Sequence, residues 1–248
     1  MQPVSSNNSD QQIVIRTRPA KAAFDWFKDG FNIFNQHKLA WIGVTLAVYV
    51  IVLALAAIPV VGQVIGNILI AGLFPLSHTA FHTKKFEHKK VFEGFKQSLM
   101  PLVQISLANM IAAYICYEIA AHITGFKQLA TPNVNDIYQL SMVLLIFYAP
   151  VVLAMLFAPA LIILHKINVW QAIKMSFVGG FKNSISMTVF GVIMIFAMML
   201  ALMPAGLGLI FLLPIMHCTL YVIFQDIFHS RTPFSVDSQP EDEDSMYV

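Results

Sequence analysis

The sequence predicts an all-α integral membrane protein with six transmembrane helices. Of its 248 residues, 58% are hydrophobic and only 11% are charged, whereas soluble domains carry about 25% charged residues. Six apolar runs can cross a hydrocarbon layer about 30 Å thick, which takes roughly 20 helical residues. Helices are expected because a lipid-facing backbone must satisfy its own hydrogen bonds. The predicted spans are Leu39–Ile58, Val60–Phe81, Leu102–Ile123, Leu140–Leu164, Ser184–Met203 and Ala205–Phe224.

The turns between consecutive spans predict that the six helices form three hairpins. The first two spans are separated by "IPVVG" and the last two by "MPAGLG". Turns rich in Pro and Gly end one helix and begin the next, which favours a hairpin over one long helix.

The distribution of basic residues predicts the orientation of the chain. Of 15 Lys and Arg residues, 14 lie in the two tails or in the segments that join spans two to three and four to five. Only Lys127 lies on the opposite side. Because cytoplasmic loops are enriched in Lys and Arg, both termini are predicted to be cytoplasmic.

The two ends of the chain are predicted to be tails outside the membrane. Residues 1–19 are polar, lack the pattern of a signal peptide and are expected to form a disordered cytoplasmic tail. Residues 226–248 are expected to form an acidic cytoplasmic tail. The net charge of +2, without a basic cluster, argues against a nucleic-acid partner.

Three amphipathic segments, here called elbow segments, each precede the first span of a predicted hairpin. Their apolar residues recur at steps of three and four, the spacing of one helix face. A helix of this kind lies in the membrane interface, where Trp is enriched. The aromatic residues assigned to this interface are Trp26, Phe27 and Phe31, then Phe92 and Phe95, then Trp170, Phe177 and Phe181. The elbow segments either set the entry angle of the next span, or form a lateral gate or a docking surface for a soluble partner.

The order of elbow segment, span, turn and proline-bearing span occurs three times, which predicts a pseudo-threefold repeat. The units cover about residues 20–82, 90–165 and 168–225 of the transmembrane domain. Their second spans carry Pro75, Pro159 and Pro214. Proline removes a helical hydrogen bond and bends the helix, so these positions line a cavity or are simple packing kinks.

Few polar side chains inside the spans are candidates for a binding site. Glu118 and His122 are four residues apart and therefore share one helix face. Asn67 and Asn109 are further polar residues for a path through the bilayer. Charged groups within spans often mark pathways, so Glu118 is a candidate for proton or ligand handling. The alternative is a structural or interfacial role near the end of span three.

Three histidines are weak candidates for metal or haem ligation. His78 and His82 are four residues apart, and His217 follows Pro214 as His78 follows Pro75. No further ligand pattern accompanies them, so no cofactor is expected. The sequence contains no phosphate-binding loop, GxSxG motif or dinucleotide fingerprint, so an enzyme is not expected.

The stretch "MLFAPALIILHKINVWQAIKMSFVGGFKN" resembles the YciC-like family of six-span bacterial inner-membrane proteins. The resemblance rests on Ala158, Pro159 and Ala160, followed by Ala172, Ser176 and Asn183. It extends loosely over residues 20–225 and implies a polytopic inner-membrane protein. The family implies no activity and no catalytic residue.

Three functions remain open from the sequence. The first is a non-enzymatic scaffold or accessory factor for membrane or envelope complexes or for lipid organisation. The second is a small-solute or lipid transporter or channel with a cavity between kinked helices. The third is a metal- or haem-binding membrane subunit. The expected partners are the lipid bilayer and either other inner-membrane proteins or further copies of the chain.

Overall fold

A computed structural model describes residues 13–128 and 131–230, which fold almost entirely as helices. Six of the described helical segments are long and apolar enough to cross a membrane, which confirms the predicted all-α, six-span character. The segments are Lys38–Leu55, Val61–Thr83, Leu99–Ile123, Val134–His165, Ser184–Leu202 and Leu209–Ile227.

Two of these membrane-length segments are each divided into two helices. Together with three helices outside the membrane-length segments, this gives eleven α-helices in the described chain. They are α1 (Ala22–Gln36), α2 (Lys38–Leu55), α3 (Val61–Ala71), α4 (Leu73–Thr83), α5 (Glu93–Gln97), α6 (Leu99–Ile123), α7 (Val134–Leu156), α8 (Ala158–His165), α9 (Val169–Lys182), α10 (Ser184–Leu202) and α11 (Leu209–Ile227). Two 3-10 helices cover His88–Phe92 and Phe126–Gln128. The only regular strands in this described part are β1 (Ile13–Ile15) and β2 (Phe228–Ser230), which pair antiparallel.

The strand pair shows that part of each predicted tail has regular structure. The Arg16 N–H donates a hydrogen bond to the Ile227 carbonyl at 2.9 Å, next to the strand pair. Residues 13–19 and 226–230 are therefore held against each other rather than forming free tails, because each supplies the backbone partners of the other. The rest of both predicted tails, residues 1–12 and 231–248, lies outside the described residues.

The membrane-length segments form an inner and an outer group. In the most apolar stretch of each segment, about 72% is buried for Val61–Thr83 and 61% for Leu209–Ile227. The buried share is only 17% for both α2 and α10. α8 is also buried along most of its length. The prolines Pro75, Pro159 and Pro214 thus belong to the inner helices α4, α8 and α11, while the outer helices expose apolar side chains to lipid.

Aromatic rings join the inner helices near the C-terminal ends of α8 and α11. Phe224 of α11 lies with ring centroids 6.1 Å from Phe74 of α4, 6.3 Å from Phe157 and 5.6 Å from His165. Phe157 and Phe224 are both almost completely buried. Buried aromatic residues provide much of the packing area of a core, so this cluster fixes how the three inner helices meet.

Two of the three prolines lie where a helix is broken, and the third does not. Pro75 is the third residue of α4 and Pro159 the second of α8, each just after an interruption. Proline is tolerated in a first helical turn because its missing N–H has no partner there. Pro214 instead lies inside the continuous helix α11.

A side chain of the third elbow segment fills the break between α7 and α8. The Ser176 hydroxyl donates to the Leu153 carbonyl at 2.8 Å and accepts from the Phe157 N–H at 3.1 Å. In an uninterrupted helix these two backbone groups would bond to each other. The hydroxyl therefore stands in place of one helical hydrogen bond.

Each elbow segment packs against a helix of a different predicted repeat unit. The first, α1, packs mainly on α11. The second, which comprises the 3-10 helix His88–Phe92 and α5, packs on α3 and α4. The third, α9, packs on α7 and α8. The second and third elbow segments therefore each lie on the second-span helices of the preceding unit. The first elbow segment lies on the second-span helix of the third unit.

The aromatic residues assigned to the membrane interface divide between buried and exposed positions. Trp26 is only 2% exposed, and its indole N–H donates to the Asp226 carboxylate at 2.7 Å. It therefore faces the interior of the protein rather than the surrounding lipid, and the partly buried Asp226 provides a partner for the indole. Phe27 and Phe95 are partly buried. Phe31, Phe92, Trp170, Phe177 and Phe181 are exposed.

Candidate functional site

A cleft of about 270 Å³ lies between the inner helices and the pair formed by α6 and α7. Its walls come from α3, α4, α6, α7, α8 and α11 and are mostly apolar. Five polar side chains also line it: Asn67, Ser106, Asn109, Tyr148 and His217. An apolar cleft with a few convergent polar groups is the usual form of a small-molecule site.

The polar residues of the cleft are held by hydrogen bonds between helices. The Tyr148 hydroxyl on α7 donates to the Asn109 amide oxygen on α6 at 3.2 Å. On the other wall, the His217 Nε2 of α11 lies 2.9 Å from the Tyr49 hydroxyl of α2. The Asn109 oxygen is occupied by Tyr148, so the NH₂ group of Asn109 remains as a donor.

The cleft lies at middle depth along the spans. Asn109 and His217 are near the centres of Leu99–Ile123 and Leu209–Ile227, and Tyr148 is near the centre of Val134–His165. Among the described residues that line the cleft, none is Lys, Arg, Asp or Glu. The described lining of the cleft is therefore uncharged and carries hydrogen-bonding groups at mid-span depth.

The structure brings together some of the predicted site residues and separates others. Asn67, Asn109, Pro159 and His217 line the cleft. Pro75 and Pro214 do not, although Phe74, next to Pro75, does. The predicted association of prolines with a cavity thus applies directly to one of the three.

Glu118 lies away from the cleft and is paired at the end of α6. The Lys127 amine contacts both Glu118 carboxylate oxygens, at 2.6 and 2.7 Å. The hydrogen bond to Glu118 raises the pKa of the Lys127 amine above its usual value. His122, predicted to share a site with Glu118, is exposed on the same helix. Lys127 follows the helix end closely enough to reach back, which explains why Glu118 takes this partner.

The three candidate histidines do not share one centre. His78 Nδ1 lies 2.8 Å from the Tyr221 hydroxyl, and the His78 and His82 ring centroids are 4.5 Å apart. His217 faces Tyr49 and the cleft instead. In the portion of the chain that the structure describes, no three His, Cys, Asp or Glu residues form a metal-binding group.

Sequence reasoning did not single out several residues that the fold makes prominent. Ser106 and Tyr148 line the cleft, and Tyr49 supports His217. One signal was present: Ser106 and Asn109 are three residues apart and share a helix face. The pairing of Tyr148 with Asn109 depends on how α6 and α7 pack, which no local pattern reveals.

A second polar cluster joins the two ends of the described chain. The Arg18 guanidinium binds both Asp226 carboxylate oxygens at 2.7 Å. The Asn183 side chain accepts from the Arg18 N–H at 2.7 Å and donates to the Arg16 carbonyl at 2.9 Å. Ser186 donates to the Arg18 carbonyl at 2.7 Å. These contacts fix the N-terminal segment to the end of α11 and the start of α10.

Together these features define a multi-pass α-helical membrane protein with a neutral cleft between its spans. The chain is 21% identical to a protein of Burkholderia thailandensis described as a probable inner membrane protein, over 86% of this chain and 93% of that protein. No protein-family model matches the chain, and no solved structure gives a significant match. The comparison supports a bacterial multi-pass inner-membrane protein, and the resemblance to the YciC-like family stays a prediction.

Proposed function

We propose that this chain is a non-enzymatic inner-membrane protein that holds a lipid-like molecule in its intramembrane cleft. Its role is to organise that lipid in the membrane or to move it. The observation that carries the proposal is the cleft itself, with five neutral polar side chains at mid-span depth and apolar walls around them. A molecule that is mainly apolar and carries a small polar group matches such a lining.

The packing of the elbow segments favours lipid binding over a scaffold function as the role of this protein. A scaffold needs a surface for protein partners, and the elbow segments were the predicted surface. One face of each is used within the chain, on α11, α3 and α4, or α7 and α8. Their exposed aromatic residues, such as Trp170 and Phe181, suit contact with lipid headgroups. The bilayer is accordingly the partner that we propose.

The chemistry of the cleft supports a binding role rather than catalysis. His217 is the strongest general base in the cleft, and its Nε2 is engaged by the Tyr49 hydroxyl rather than by a nucleophile. The described lining residues include no carboxylate to orient the histidine and no cysteine. An activated nucleophile requires such a chain of contacts.

We further propose that the three units are repeats of one structural module, each with an elbow segment, a first span and a proline-bearing second span. Each elbow segment is separated from its span by one residue outside the helical range: His37, Ser98 or Asn183. In the last two units that residue donates its N–H to a glycine carbonyl four positions earlier, Gly94 at 3.2 Å and Gly179 at 3.3 Å. The cyclic packing of elbow segments on neighbouring units supports the same threefold order.

Retention of lipid by the purified protein tests the proposed function. The wild-type chain, extracted in its native lipid with a styrene–maleic acid polymer, should keep one bound lipid-like molecule in native mass spectrometry. Ser106→Phe places a ring in the cleft and should abolish retention. Leu107→Phe, on the lipid-exposed face of the same helix, should leave it unchanged.

Two results would contradict the proposal. The first is a wild-type protein that keeps no lipid. The second is equal retention by a well-folded Ser106→Phe variant, which would place the bound lipid outside the cleft. Size-exclusion elution and thermal midpoint identify variants that have failed to fold.

A further inference from the structure

We infer that the cleft selects a quinone, an uncharged ring with two opposed carbonyl oxygens on an apolar tail. This inference rests on the proposed function, since it names the chemical class of the molecule held. It depends on the charge, the depth, the donor arrangement and the opening of the cleft.

The absence of charge in the lining excludes a charged head. A phosphate or carboxylate at this site would meet no Lys or Arg among the described lining residues. Burying an ionised group without a partner costs far more than a hydrogen bond returns. Phospholipids and fatty acids are therefore poor occupants of the polar part of the cleft.

The depth of the cleft favours a head that leaves water at low cost. Asn109 and His217 lie near the middle of their spans, well away from the headgroup layer. Acylglycerols keep hydroxyl and ester groups that water hydrates strongly, so their heads remain near the interface. A quinone ring has only two acceptors and no donor, so a few hydrogen bonds replace its hydration.

The donors of the cleft are arranged on two walls. The NH₂ group of Asn109 remains as a donor on α6, because Tyr148 occupies only the amide oxygen. Asn67 lies on α3, a second wall of the cleft, and no other described residue hydrogen-bonds to its side chain. A ring with two carbonyl groups has one acceptor for each of these two amides, whereas a ligand with a single acceptor can bond to only one of them at a time.

The size and opening of the cleft fit a ring whose tail continues into the bilayer. A volume of about 270 Å³ is at the small end of ligand pockets and holds a head with the start of a tail. Val152 lines the cleft and is also 42% exposed on α7. The side chain of Val152 therefore marks a lateral mouth, through which a tail can extend into lipid.

Competition between three probes tests this inference. The full chain in phosphatidylcholine nanodiscs is loaded with equal mole fractions of decylubiquinone, dioleoylglycerol and dioleoylphosphatidylglycerol, and adducts are counted by native mass spectrometry. Decylubiquinone should be the dominant adduct, at one per chain. Asn109→Leu and Asn67→Leu should each weaken its binding about tenfold, the effect expected for one lost buried hydrogen bond. Asn135→Leu, an exposed position on α7, should not.

The outcomes separate this inference from the proposed function. Retention of dioleoylglycerol or dioleoylphosphatidylglycerol in preference to the quinone overturns the quinone inference and leaves lipid binding in place. Retention of none of the three, with no native lipid either, overturns both. Unchanged quinone binding in both folded asparagine variants also overturns the inference, because the donors would then have no part in recognition. Since Asn67 and Asn109 lie on different helices, loss of folding in one variant leaves the other as the test.

Discussion

At the scale of single residues, Ser176 shows how one hydroxyl can complete a broken helix. Pro159 cannot donate to the Met155 carbonyl, so α7 and α8 do not continue as one regular helix. Ser176, which is fully buried, bridges the Leu153 carbonyl and the Phe157 N–H. The third elbow segment is thereby hydrogen-bonded to the helix break.

Removal of this hydroxyl should destabilise the fold. Ser176→Ala leaves two buried backbone groups without a partner, at a cost of about 1–3 kcal/mol in the free energy of unfolding. The thermal midpoint in mild detergent should fall measurably. Ser184→Ala, at an exposed position on α10, should change it far less. Equal midpoints for the two variants would show that the bridge contributes nothing to stability.

The residues of the family resemblance have a common structural explanation. Ala158, Ala160 and Ala172 are fully buried, and Asn183 is 1% exposed. The alanines lie where α8 and α9 approach closely, and Asn183 holds the N-terminal segment. These positions maintain helix contacts, which explains why the resemblance implied a fold and no reaction.

At the scale of elements, Gly30 of the first elbow segment allows close helix contact rather than a bend. Gly30 lies inside the continuous helix α1, against the backbone of Thr219 on α11. A methyl group at Gly30 would overlap the Thr219 main chain. Close approach of two helix backbones requires a residue without a side chain, as in other small-residue helix interfaces.

Alanine substitutions should therefore have opposite consequences at two helical glycines. Gly30→Ala should push α1 away from α11 and destabilise the protein by about 1–3 kcal/mol, the range for overpacking. Gly43→Ala, on α2, meets no atom within 4 Å and should be neutral or stabilising, since alanine is the better helix former. The thermal midpoints of both variants provide the measurement. A Gly30→Ala variant as stable as Gly43→Ala would mean that α1 does not pack closely on α11.

At the scale of the whole molecule, hydropathy predicted the number and the type of elements, and packing decided the rest. Six apolar runs correspond to six membrane-length helical segments because lipid leaves the backbone few alternatives. The breaks at Gly72 and Phe157, just before Pro75 and Pro159, could be anticipated as proline effects. The burial of Trp26 could not, since it depends on Asp226, 200 residues further along the chain.

The candidate site was predictable only in part for the same reason. Asn67, Asn109 and His217 stand out as polar residues within apolar runs. Glu118 stood out more strongly, yet it pairs with Lys127 beyond the end of α6. Sequence identifies which polar groups are costly in a membrane, whereas helix packing decides which of them face the same space.

The orientation of the whole chain is open to direct measurement. Single cysteines at Lys85 and Lys127 should react differently with a membrane-impermeant maleimide applied to intact spheroplasts. Lys127→Cys should be labelled at once, and Lys85→Cys only after lysis, because the side predicted to carry 14 of the 15 basic residues, including Lys85, is the one predicted to be cytoplasmic. The native cysteines Cys116 and Cys218 are buried, which keeps the background low. The reverse pattern would overturn the predicted orientation.

The packing of α1 on α11 can form only late in the synthesis of the chain. Among the described helices, α1 is synthesised first and rests mainly on α11, which is synthesised last, so this contact must wait until the intervening spans have been made. At synthesis rates of about 5–20 residues per second, that wait is on the order of ten to forty seconds. During this interval Trp26 and the backbone around Gly30 have no partner from their own chain. A chain shortened before Asp226 would keep Thr219 opposite Gly30 but would leave the Trp26 indole and the Arg18 guanidinium without their carboxylate partner.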